Sequence, residues 1–164
     1  MQQPKIINIK DKNLIGLSIH TSLAENKTFE LWSTFKPRVK EINNRINKGF
    51  YSIQVYENNF DIRQFTPNTY FKKWAATEVS DFDTTPKGLQ PFTLPGGYYA
   101  IFIHKGRPQQ FPKTAEYIYG EWLPNSDYEL DNRPHFEYIP EHNKPNDPNA
   151  KEEVWIPIKL KVSK

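Results

Sequence analysis

Gly97-Tyr98-Tyr99-Ala100-Ile101-Phe102-Ile103-His104, residues 97–104, is a strongly apolar stretch whose surroundings decide the fold. Pro95-Gly96-Gly97 opens it and Gly106-Arg107-Pro108 breaks it, so it reads as a strand with turns at both ends. Phe111, Ala115, Ile118 and Trp122 follow at helical spacing, which predicts a helix over about 113–123 that Pro124 closes. His135–Ile139 and Val154–Val162 then read as two more strands. The loop between them, 140–151, carries three Pro and three Asn and reads as a mobile hairpin tip.

The first half of the chain repeats that order. Ile6–Ile9 and Leu14–Ile19 read as a strand entry interrupted by the turn-like Asp11-Lys12-Asn13. Phe29, Trp32, Phe35, Val39, Ile42 and Ile46 recur every three or four residues, one apolar stripe over nearly five turns. Pro37 should kink that helix, and Gly49 suits the left-handed position just past its end. Phe50–Tyr56 and Phe71–Val79 are the next two strands. Phe50–Tyr56 thus corresponds to His135–Ile139, and Lys73–Ser80 to Glu153–Leu160. We expect one α+β domain over 1–164, built from two βαββ units at about 5–80 and 89–162. They are related by a pseudo-twofold axis, with an antiparallel sheet, two main helices and a central ligand pocket. An ordinary α+β sandwich with coincident spacings is the plainer alternative.

Composition bounds the function. The 164 residues are 15% aromatic, with 4 Trp, 9 Tyr and 11 Phe, which favours an aromatic-lined pocket. Having no Cys excludes disulfides, thiol nucleophiles and thiolate metal sites. A net charge of +3, from 22 basic and 19 acidic residues, is too weak and interspersed for a nucleic-acid footprint. No apolar run can span a bilayer, and residues 1–5 lack the apolar core of a signal peptide, so a cytoplasmic location is expected. Phosphate-loop, dinucleotide and nucleophile-elbow motifs are absent. The four His (His20, His104, His135, His142) are not spaced as metal ligands, and no metal or cofactor is expected. His20 and His104 end strands and should face solvent or cap the next helix.

The carboxylates carry more. Glu78 lies in Trp74-Ala75-Ala76-Thr77-Glu78-Val79, where alternation puts Trp74, Ala76 and Glu78 on one face. Glu137 lies between Phe136 and Tyr138, and Glu153 shares a face with Trp155. Such residues ordinarily face water or pair with Lys or Arg. The functional reading is a carboxylate in an aromatic cavity, which would seek a ligand cation held also by ring faces.

Four segments together resemble the GyrI-like domain, the effector-binding module of AraC- or MerR-type multidrug-responsive bacterial regulators. They are Phe35-Lys36-Pro37-Arg38; residues 95–106; residues 119–129; and Phe136-Glu137-Tyr138 with Val154-Trp155-Ile156-Pro157-Ile158. The resemblance implies a duplicated βαββ fold and a central pocket that takes lipophilic cations between aromatic rings and a strand glutamate. The matching glutamate is Glu137, the last-strand aromatic is Trp155, and a second family glutamate matches Glu78, near Trp74. A one-residue slip in this matching would move each side chain to the other face. Fold material is expected from about Lys5, which leaves no room for a helix-turn-helix, so the chain resembles the stand-alone branch and should not bind DNA directly.

The leading expectation is a protein that captures amphipathic, cationic small molecules, with a role in drug or toxin response or in transcriptional regulation. Trp74, Trp155, Tyr51 and Tyr99 would supply ring contacts, and Glu137, Glu78 and Glu153 would supply charge. A hydrolase of small electrophiles is the rival, with Glu78 and Glu137 as acid and base and Tyr138 assisting. A third reading, suggested by the family's gyrase-inhibiting member, is a protein partner of DNA gyrase or of a separate regulator. A monomer or weak dimer is expected.

Overall fold

The computed structural model describes residues 2–144 and 147–162. Among these residues nine strands form one antiparallel sheet: β1 (Lys5–Ile9), β2 (Lys12–Thr21), β3 (Phe50–Val55), β4 (Phe71–Glu78), β5 (Gln90–Leu94), β6 (Gly97–Lys105), β7 (Tyr128–Leu130), β8 (His135–Ile139) and β9 (Lys151–Leu160). Helix α1 (Thr28–Phe35) lies between β2 and β3, and α2 (Phe111–Tyr117) follows β6. The spatial order is β1-β6-β9-β8-β3-β4-β2-β5, with β7 beside β9. That order reads alike from both edges: an edge strand, a strand that leads into a helix, the last strand of a unit, then a central strand. The α+β architecture with a duplicated βαββ plan is therefore what the residues build.

Two strands escaped the sequence reading. β5 and β7 are short, and neither has a clear alternation of its own. β5 matters most, because its pairing is crossed. β1 runs directly into β2 yet pairs with β6 (Ile7 opposite Tyr99), while β5 runs directly into β6 yet pairs with β2 (Leu14 opposite Phe92). The stretch read as one interrupted strand entry is thus two strands on different neighbours. The linkers 10–11 and 95–96 meet where the halves exchange: the Gly96 N–H donates to Asp11 Oδ1 at 2.7 Å. A Cβ on Gly96 would stand 2.3 Å from the Ile9 carbonyl oxygen.

Register fixes which side chains share a face. Ile53 opposes Phe136 and Ser52 opposes Glu137 where the two halves join. One face carries both helices. Leu31 and Phe35 of α1 pack on Ile15, Ala75 and Val79, and the α2 region packs through Ile118 on Ala100, Phe102, Val154 and Ile156. The opposite face gathers Leu14, Tyr51, Ile53, Trp74, Leu94, Tyr99 and Phe136 into one buried cluster drawn from six strands. Each fully buried large side chain contributes roughly 1.5–3 kcal/mol, so this cluster is a main source of stability.

The first helix is shorter than its stripe implied. α1 stops at Phe35, and Lys36–Glu41 continues as a 3-10 segment with Pro37 near its start. Pro37 has no N–H for the preceding turn, which ends the α-helical ladder there. The stripe also divides: Leu31, Phe35, Val39 and Ile42 enter the core, while Phe29 is 83% and Ile46 59% exposed. Gly49 does not take a left-handed conformation. A Cβ there would meet the Tyr138 ring at 2.2 Å, so the glycine makes room for a side chain instead. The second helix runs on through a π-helical turn at Ile118–Trp122 to Asn125. Of the 140–151 loop, residues 145–146 lie outside the described residues. Among the described residues no helix is long and apolar enough to cross a membrane.

The crossing linkers supply a test. Gly96→Val should cost about 1–3 kcal/mol in urea unfolding, because its side chain meets main chain that cannot move aside. Gly120→Ala, where a Cβ meets nothing within 4 Å, should be neutral or stabilising by up to about 1 kcal/mol.

Candidate functional site

The helix-bearing face has an opening between its two halves. α1 covers the β2–β4 side and α2 the β6–β9 side, leaving a groove of about 740 Å³ over the middle strands. Phe29, Trp32 and Lys36 line it from the first half, His104 and Glu152 from the second, and Phe50 and Ile139 from the floor. Phe29, Trp32 and Lys36 fall at i, i+3 and i+7, a helix face adjacent to the one that Leu31 and Phe35 bury. Trp32 stands edge-on to Phe50, with ring centroids 5.9 Å apart and planes at 88°. The Arg45 guanidinium also lies 5.3 Å from the Phe50 ring.

A polar row runs across the same face at the centre of the sheet. Lys73 on β4 opposes Gln54 on β3, and Gln54 opposes His135 on β8. Glu137 is two residues further along β8, and Gln54 Nε2 donates to its Oε1 at 3.2 Å. Burial pushes the Glu137 carboxyl up to about 7, and nearby Glu152 adds to that rise, while Lys73 opposes it. Burial likewise raises Glu152 and lowers Lys73. Among the described residues no ion pair within 4 Å joins these three groups. Glu152 and His104, whose charges reach Glu137, line the groove itself. The row is closed below by Tyr119, whose hydroxyl meets His135 Nδ1 at 2.9 Å, and by Tyr56, 5.1 Å from the His135 ring. Burial drives His135 down to about 3, so it stays neutral.

The residues nominated from sequence divide between the two faces. Glu137 belongs to the helix-bearing face. Tyr51, Trp74, Tyr99, Tyr138, Trp155, Glu78 and Glu153 belong to the opposite one, by the pairings Tyr51–Tyr138, Tyr51–Ala76 and Tyr138–Glu153. There the rings fill the core: Phe136 stacks on Trp155 at 5.0 Å, and Tyr99 meets both. The two carboxylates are held at that cluster's margin. Glu78 accepts from the Tyr51 hydroxyl at 2.8 Å and from Asn47 at 3.2 Å, with Lys12 at 3.5 Å, and Glu153 accepts from Trp155 Nε1 at 3.0 Å. Glu78 and Glu137 thus sit on opposite sides of the sheet, and the structure does not assemble them as an acid and base on one substrate.

Sequence reading passed over Glu152, Trp32 and Phe50 as site residues. A signal existed for Glu152, since it alternates with Val154 and Ile156 and must share their face. His104, expected toward solvent or at a helix cap, is buried and clamps α2 through Thr114 Oγ1 at 2.7 Å. Among the described residues no His, Asp and Glu side chains converge as a metal site.

Comparison with known proteins matches this arrangement to a family. The sequence profile described as the GyrI-like small molecule binding domain matches residues 2–159. The transcriptional regulator BrlR of Pseudomonas aeruginosa is 29% identical over 147 residues, covering 89% of this chain and 52% of the regulator. The chain therefore spans about half the length of that curated relative. Among solved structures, SAV2435 bound to tetraphenylphosphonium superposes with a TM-score of 0.74 at 14% identity, over 96% of this chain and 94% of the other. The EcmrR C-terminal domain gives 0.71 at 13% identity, over 96% and 98%.

The raised Glu137 has a thermodynamic consequence. The folded state keeps a proton that the unfolded chain releases near its ordinary 4.5, so stability falls as pH rises from about 4.5 to 7. His135 acts the other way, adding stability as pH rises from about 3 to 6.5. Glu137→Gln keeps the His135 contribution and loses the Glu137 one. Its urea midpoint should hold up better than wild type between pH 5 and pH 8.

Proposed function

The chain belongs to the GyrI-like small molecule binding domain family, and from that premise we propose that the groove between its helices receives an amphipathic cation. The observation that carries this reading is an apolar, aromatic-walled groove lined by one desolvated carboxylate, Glu152, whose charge acts on a second, Glu137, in the polar row behind it. A lipophilic cation answers both needs. Its apolar body covers Trp32, Phe29 and Phe50, and its charge relieves the cost of ionising Glu137 and Glu152 away from water. Lys73 offsets part of that negative charge, so one positive charge on the ligand suffices to balance the row. The tetraphenylphosphonium bound by SAV2435, a relative in fold, is a cation of this chemistry. The aromatic cluster on the opposite face supports the site from behind, by fixing the central strands that carry Gln54 and Glu137.

This role fits a sensing part within regulators like BrlR, whose length exceeds the matched region. We infer the same role here: ligand capture that alters the groove between two halves of one sheet.

Tetraphenylphosphonium and the neutral triphenylphosphine oxide are the probes, followed by calorimetry. The cation should bind more tightly, and Glu137→Gln should weaken it by about ten- to a hundredfold, or about 1.4–2.8 kcal/mol, while sparing the oxide. Because the cation needs ionised Glu137, whose pKa is near 7, wild-type affinity should rise about tenfold from pH 6 to pH 8. That rise should vanish in Glu137→Gln. Ser33→Trp, on the groove's α1 wall, should block both probes. Equal binding of the two probes, or full binding in Ser33→Trp, defeats the reading.

A further inference from the structure

The groove already holds a cation of its own. Lys36 follows the last residue of α1, and its Nζ lies 5.9 Å from the Trp32 ring centroid and 5.3 Å from that of Phe50. Those rings meet edge to face, and both line the groove together with Lys36. The ammonium therefore sits in the corner where two aromatic side chains favour positive charge.

Local structure puts it there. Trp32 and Lys36 are four residues apart, the spacing at which helical side chains touch. Lys36 keeps helical backbone angles and is the first residue of the 3-10 segment, so its side chain departs where the α-helix gives way to the tighter turn. Phe50 reaches the corner from the sheet. Among the described residues no carboxylate lies within ion-pair distance of Lys36. The rings are the partners that the structure gives this charge.

We propose that Lys36 is a built-in occupant of the cation seat, which an incoming ligand must displace before it can use the Trp32 and Phe50 rings. This deepens the reading of the groove as a cation site and rests on it. The consequence is selectivity. A small, well-hydrated cation gains little by replacing an ammonium that makes the same contact. A bulky, weakly hydrated cation adds apolar area that the lysine cannot supply, and so wins the exchange. Lys36 thereby sets a threshold that admits lipophilic cations and turns away common ammonium ions.

The test uses the full chain and tetraphenylphosphonium, titrated by calorimetry into wild type, Lys36→Met, Lys36→Arg and Lys144→Met. Lys144 also lines the groove, and among the described residues no ring lies beneath its charge. Lys36→Met should tighten binding roughly two- to fivefold, the worth of an exposed cation–π contact. Lys36→Arg should bind no more tightly than wild type, and Lys144→Met should gain less than Lys36→Met. As a second readout, saturating tetraphenylphosphonium should speed acetylation of Lys36 relative to Lys40, measured by mass spectrometry. Unchanged or weaker binding in Lys36→Met, or an equal gain in Lys144→Met, overturns the proposal. If Ser33→Trp abolishes binding while Lys36→Met is flat, the groove stands and only the lysine's role falls. If Ser33→Trp binds as wild type does, the groove reading itself has failed.

Discussion

The exchange of edge strands between the two halves is the constraint on which the rest of the structure depends. The strand that precedes each βαββ unit joins the other one: β1 completes the sheet beside β6, and β5 completes it beside β2. The two short linkers must then pass against each other, and only a residue without a side chain fits at Gly96. Because the linkers are short, the two edges of the sheet cannot separate. The sheet has to bend around whatever lies between them, and what lies there is the Leu14–Tyr99–Phe136 cluster.

That bend explains the division of labour between the faces. The face around which the sheet closes collects aromatic side chains from both halves and packs them ring on ring. On the other face each half packs its own helical segment on its own strands. The middle of the sheet, where β3 meets β8, is reached only at its margins, by Trp32 against Phe50 and by Tyr119 against His135. A groove there follows from the duplication itself, since each helix is placed by its own half. Polar side chains at this seam, Gln54, Glu137 and Lys73, are sheltered by the flanking elements without being packed by them.

The electrostatics of the seam follow from the same geometry. Burial is the main influence on Glu137, Glu152 and Lys73, their charges act on one another beside it, and among the described residues none is in direct ion-pair contact with another. The Tyr119–His135 pair, reached through the π-helical turn, seals the inner end of the row with neutral groups and adds no competing charge.

Alternation and turn residues by themselves determined most of the elements. The strand over 97–104, the helix beyond it and the central strands were legible because period and punctuation are local properties. So were the grouping of Trp74 with Glu78 and of Glu153 with Trp155, since a strand's own pleat decides them. Three things were not legible. The end of α1 at Phe35 and the release of Phe29 to the groove depended on what packs against the helix. The pairing of β1 with β6 and β5 with β2 depended on contacts some ninety and eighty residues away in sequence. The separation of Glu137 from Glu78 depended on register between strands: Ser52, not Tyr51, opposes Glu137, and one residue of register decides a face. The sequence determined which side chains travel together along each strand. Only the tertiary structure decided which strands share a face, because that is set by main-chain pairing between segments with no local signal for each other.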